Sequence, residues 1–190
     1  MHVTTLVAPA AEPLGLAEAK AYLRIGFEGE DSLVTTLIAG ARSRIESAAG
    51  LALVSRSLRV TMSCWPAGSV ERREIRLPVR PAGALAAVRV YPLAGVAETV
   101  TDRFTLEPGR SARLVWTGGA FPWPGRKTGG IEIDYTAGFG ATASEVPEGL
   151  RLAVRRLVAH AYHARDAETL AGALPEDVAG LMAPWRRVGL

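Results

Sequence analysis

The sequence predicts an α+β fold: a helical bundle built from the N- and C-terminal segments, with a small antiparallel β-sheet or barrel-like region inserted between them. Three observations carry this. Apolar residues recur at three-four spacing near both ends of the chain. Between residues 57 and 136 the pattern changes to polar/apolar alternation, cut into short runs by Gly and Pro. A hydrophobic content of 48% over 190 residues supports a buried core. The resulting division is residues 1–54 for the N-terminal helices, 55–136 for the β insertion, 137–183 for the C-terminal helices and 184–190 for an extended tail.

A first short helix is expected over 14–24, where Leu16, Ala19, Tyr22 and Leu23 share a face. An acidic turn follows at 26–30. The second helix spans roughly 31–50, with Asp31 or Ser32 as cap, Gly50 as stop, and Leu33, Leu37, Ile38, Ala41, Ile45 and Ala48 as the apolar stripe. Arg42, Arg44 and Glu46 are expected to face elsewhere. Strands are expected at 57–65, 74–78, 86–91, 104–106, 112–116 and 130–136. The fourth and fifth form a hairpin around Glu107-Pro108-Gly109-Arg110. The third helix starts at Pro147 and buries Leu150, Val154, Leu157, Val158, Ala161 and Tyr162, with Arg151, Arg155 and Arg156 largely on another face. A fourth, short helix covers 175–182.

Composition excludes several classes. No apolar run approaches the ~20 residues of a membrane-spanning helix, so no membrane partner is expected. No basic n-region precedes an apolar stretch, so no secretory signal is read. Cys64 is the single cysteine, expected as a small buried hydrophobe, and no internal disulfide can form. The net charge of +3 is uneven: −2 over residues 1–50, +4 over 51–146 and +1 over 147–190. No Lys/Arg run resembles a nucleic-acid arm. Arginine supplies 20 of the 22 basic residues, a usage that points to a GC-rich genome more than to a binding mode.

Few constellations suggest chemistry. His160, His163 and Asp166 follow one another at spacings of three, which could hold a metal for hydrolysis or simply line a solvated helix end. Neither a catalytic Glu nor an H-E-x-x-H spacing accompanies them. Glu132 and Asp134 alternate on one strand, as a catalytic carboxylate pair or as a polar outer face. Phosphate loops and nucleophile elbows are absent, and no catalytic residue, resident metal or cofactor is assigned. The loop at 117–129 mixes Phe121 and Trp123 with Arg126 and Lys127. Either it contacts nucleic acid or protein, or its aromatics fold back on the sheet. The ending Pro184-Trp185-Arg186-Arg187-Val188-Gly189-Leu190 is rich in interface anchors, and is either packed on its own domain or gripped by another protein.

Four pieces, in this order, resemble one family. They are Leu16-Ala17-Glu18-Ala19-Lys20-Ala21-Tyr22-Leu23-Arg24; the helix over 31–50 with its Ala41-Arg42-Ser43-Arg44-Ile45-Glu46-Ser47 core; Tyr135-Thr136-Ala137-Gly138-Phe139-Gly140 leading to Val146-Pro147-Glu148-Gly149-Leu150-Arg151; and Leu181-Met182-Ala183 followed by the ending above. Together they look like the head–tail connector (adaptor) proteins of tailed bacteriophages and gene transfer agents. The resemblance implies a non-enzymatic virion protein, made in the host cytoplasm and assembled at the head–tail junction. It implies a homo-oligomeric ring, commonly a dodecamer, beneath the portal protein, with a stopper or tail terminator below and packaged DNA passing through the channel. It also implies a portal-docking tail, which here falls on Trp185, Arg186, Arg187, Val188 and Leu190. The loop residues Phe121, Trp123, Arg126 and Lys127 would then face the lumen or the next ring. The rival readings are a metal-dependent hydrolase using His160, His163 and Asp166, and a nucleic-acid-binding module using Arg126 and Lys127.

Overall fold

The computed structural model describes residues 1–109, 111–164 and 173–186. The chain divides into two compact units. One holds residues 1–9 and 55–138 and is built of strands; the other holds 10–54 and 139–190 and is built of helices.

In the helical unit, α1 (Leu16–Leu23) leads to α2 (Asp31–Ala49). Gly50 ends α2 in the left-handed conformation (φ 63°) that a glycine adopts without strain. Neither Asp31 nor Ser32 caps α2: Glu30 holds the cap position without a side-chain capping bond, and Asp31 sits in the first turn paired with Lys20. The buried stripe of α2 is Val34, Ile38, Ala41, Ile45 and Ala49, turned about one residue from the expected Leu33 and Ala48. Glu46, expected to face outward, is buried at 6% exposure. Its carboxylate accepts the Leu53 N–H at 2.8 Å and an Arg42 Nη1 bond at 3.0 Å, so the polar group is satisfied where it is buried.

The long helix α4 (Glu148–His163) buries Leu150, Ala153, Val154, Leu157 and Val158. The short helix α5 (Glu176–Met182) adds Val178 and Met182, both fully buried. The arginines of α4 are structural: Arg151 and Arg155 both bind Glu18 of α1, and Arg156 reaches Asp177 of α5. Within this unit all four helices contribute to one apolar cluster.

The β unit starts with a strand inside residues 1–54, the span expected to be helical. Strand β1 (His2–Val7) pairs antiparallel with β2 (Arg56–Met62). Its side chains are almost all exposed, so it is held by backbone pairing and gives no alternation signal. After β2 come a one-turn helix α3 (Ser69–Arg72), β3 (Glu74–Arg76), β4 (Ala82–Val90) and the two-residue β5 (Glu98–Thr99). The hairpin β6 (Phe104–Glu107) and β7 (Arg113–Trp116) and the strand β8 (Ile131–Ala137) complete the unit.

These strands form a five-stranded sheet in the order β1-β2-β8-β4-β5 and a three-stranded sheet in the order β3-β7-β6. Leu58, Val60 and Met62 of β2 lie opposite Tyr135, Ile133 and Ile131 of β8, all nearly inaccessible. The intervening residues, Arg59, Thr61, Glu132 and Asp134, take the other face, as a period of two dictates. Ile75, Leu114 and Phe104 are the buried residues of the smaller sheet. Cys64 lies exposed just beyond β2 rather than buried, because the alternation ends at Met62.

Candidate functional site

Three strands of the β unit place a charged ladder on the outer face of the larger sheet. Arg59 Nε and Nη2 hold Asp134 at 2.7 and 2.8 Å, in a bidentate fork. Arg89 Nη1 reaches the same carboxylate at 2.7 Å. Glu132 takes Arg59 Nη1 at 3.3 Å and the Tyr91 hydroxyl at 3.0 Å. The Arg59 hydrogen bonds, joined by those from Arg89, hold the Asp134 carboxyl below its usual range, although partial burial opposes them. Burial pushes the Tyr91 hydroxyl up, and the bond to Glu132 adds to it. The two carboxylates are thus ion-pair partners tying β2, β8 and β4 together.

The ladder supports the long loop after β7. Arg126 stacks its guanidinium 4.4 Å from the centre of the Tyr91 ring. The N–H of Gly125 donates to the Tyr91 carbonyl at 2.9 Å. A Cβ on Gly125 would meet the Leu93 backbone nitrogen at 2.2 Å, so the loop and the turn after β4 are in backbone contact. A Gly125→Ala variant is expected to lose about 1–3 kcal/mol through this overpacking, read as an earlier thermal unfolding transition.

The loop aromatics divide between the two open readings. Phe121 folds back, with its ring 4.9 Å from Trp116 and 5.2 Å from Trp65. Trp65 is buried and donates its indole N–H to the Pro122 carbonyl at 2.6 Å. Phe121 is therefore half-buried in an aromatic cluster of its own unit. Trp123 is 66% exposed, and Arg126 and Lys127 are exposed beside it. Leu93 (80%) and Val96 (89%), in the turn between β4 and β5, join the exposed set. Sequence reasoning passed over them; the signal available was an uncharged run, Pro92-Leu93-Ala94-Gly95-Val96-Ala97, at a turn where polar residues are usual.

In the helical unit, His160 Nε2 lies 3.1 Å from Asp177 Oδ1, across from α4 to α5. His163 stacks edge-on against Tyr162 at 5.5 Å, and Asp166 lies outside the described residues. Among the described residues no three metal-ligating side chains converge. The His160 pairing joins two helices where the sequence spacing had suggested a ligand set on one. A surface groove of about 460 Å³ beside it is lined by Tyr22, Arg156, His160, His163 and Asp177.

The chain ending departs from the expected extended tail in its first part. Ala183–Trp185 form a 3₁₀ turn directly after α5, with Pro184 in its first positions. Trp185 packs against the apolar cluster of its own unit, edge-to-face on Phe139 at 5.3 Å. Arg186 is exposed beside a cavity lined by Ala48, Ala49 and Gly50 at the end of α2. Arg187, Val188 and Leu190 lie outside the described residues.

No protein-family model matches this sequence, and no curated protein does. Solved structures do. A chain in the neck of an empty gene transfer agent particle, computed with C6 symmetry, is 31% identical with a TM-score of 0.85. A chain in the neck of a native particle, computed with C12 symmetry, is 31% identical with a TM-score of 0.81. A chain in the virion of a native particle is 30% identical with a TM-score of 0.84. Each likeness covers 100% of this chain and 97% of the other. The chain belongs to the gene transfer agent neck proteins. Within that family both units are shared, since a likeness running the full length of the chain includes the β unit as well as the helical one.

Proposed function

We propose that this protein is the head–tail connector, or adaptor, of a gene transfer agent or tailed-phage particle. It forms a ring beneath the portal and joins the DNA-filled head to the tail. The observation that carries the reading is the full-length likeness, at 31% identity, to a neck chain in a particle computed with C12 symmetry. That likeness supports a ring reading, which we take as twelvefold, with a portal above, a stopper or tail terminator below, and DNA in the channel. The role is structural rather than enzymatic, and the polar groups support it. Glu132 and Asp134 hold arginines, and His160 holds Asp177. Both arrangements stiffen the two units.

Docking on the portal falls to Arg186 and the residues after it, with Trp185 rooting the segment on the helical unit. Arginine pairs with carboxylates, valine and leucine fill apolar pockets, and ring multiplicity multiplies a weak contact. Electron microscopy of particles from cells lacking this gene tests the reading. Filled heads without tails are expected; tailed particles of normal appearance would overturn it.

A further inference from the structure

The β unit ends in an exposed tip of unusual composition. Leu93, Val96 and Trp123 are 80%, 89% and 66% exposed. Together they expose on the order of 400–500 Å², within the range of the largest apolar patch on a typical monomer, which is often functional. The tip is built rather than loose, because Gly125 and Arg126 donate backbone N–H bonds to the Tyr91 carbonyl. Its charges are cationic: Arg126 lies over the Tyr91 ring, and the exposed Lys127 side chain has no hydrogen-bond or ion-pair partner among the described residues.

The complementary surface lies in the other unit of the same chain. The turn between α1 and α2 exposes Phe27 at 58% and carries Glu28, Glu30 and Asp31 close together. Asp31 pairs with Lys20 and Glu30 accepts the Tyr162 hydroxyl. The Glu28 side chain is exposed and has no partner among the described residues. The whole units carry the same contrast. Twelve Lys/Arg against seven Asp/Glu leave the β unit at +5, and ten against twelve leave the helical unit at −2.

A ring of identical copies needs two different, matching patches on each copy, since its contacts run head to tail. We propose that the tip formed by Leu93, Val96, Trp123, Arg126 and Lys127 of one copy docks on the Phe27–Glu28 turn of the neighbouring copy. The inference rests on the ring reading above and adds the surfaces that make the ring. The apolar side chains supply burial, and the cations facing Glu28 fix orientation and exclude a like-charged approach.

The test adds purified protein to tailless heads from cells lacking the gene and counts bound copies per head by quantitative mass spectrometry. Lys127→Glu and Glu28→Lys, each at a site with no partner in its own chain, are expected to keep the wild-type melting temperature. Each alone is expected to lower occupancy about tenfold, and the swap carrying both to restore it to within about threefold. Trp123→Ser is expected to lower occupancy with the fold intact. Normal occupancy for Lys127→Glu, or loss that the swap does not repair, overturns the inference, the latter pointing to portal or DNA as the tip's partner. Wild-type protein that fails to load heads as a ring overturns the connector reading itself.

Discussion

Asp134→Ala is expected to be the most damaging single change in the β unit. It leaves the guanidiniums of Arg59 and Arg89, which meet at that carboxylate, to share Glu132 alone, at 3.3 and 3.7 Å. Removing one member of a buried pair costs about 3–5 kcal/mol, and the third-exposed arginines reduce this to roughly 2–3 kcal/mol. Asn, which keeps the shape and one acceptor, should cost less. The same group sets an acid limit. Its pKa is held below the ordinary value by the Arg59 bonds first and the Arg89 bond with them, so its contribution is present at neutral pH. That contribution is lost as pH falls from about 4 downward through the depressed value. Thermal melts of wild type from pH 7 to 3 should therefore fall more steeply below pH 4 than those of Asp134→Asn. Parallel curves would show that the ladder adds nothing.

That ladder illustrates what the sequence can and cannot disclose. Alternation along β2 and β8 is visible because one face is buried, and both strands lie where the pattern puts them. The hairpin of β6 and β7 was legible from its turn residues. The partners of Glu132 and Asp134 were not, because a period of two gives the face but not the neighbouring strand. Arg59 is 75 positions from Asp134, and only the register joins them. β1 was illegible for a related reason: an edge strand with exposed side chains has no burial pattern to read.

Burial depth was also hard to foresee where a polar side chain finds its own satisfaction. Glu46 sits at the end of an apolar stripe, and three-four spacing alone sends a glutamate outward. Its burial depends on the Leu53 N–H, seven residues on, in a linker wholly buried at residues 51–54. The aromatic loop followed the same logic in reverse. Phe121 found a nest in Trp65, Phe104 and Trp116, all from other strands or linkers, while Trp123 did not. The candidate tip is therefore smaller than the sequence proposed by one residue and larger by two, Leu93 and Val96.

Deleting residues 186–190 is expected to have the largest functional effect, and the structure places the cut. Pro184 and Trp185 belong to the helical unit, so a truncation that includes them mixes unfolding with loss of docking. Trp185→Ala alone should cost about 1–2 kcal/mol, since it removes a half-buried ring and its edge-to-face contact with Phe139. Cutting after Trp185 keeps that contact, and the melting temperature should stay within about 2 °C of wild type. Binding to tailless heads should fall at least about 100-fold. That corresponds to roughly 2.7 kcal/mol, small beside the several interface anchors that each segment of the proposed ring carries. The two variants thus separate two properties of one short ending, with stability read by Trp185→Ala and docking by the truncation. If the truncated protein loads heads at full occupancy, the docking role proposed for this segment is overturned.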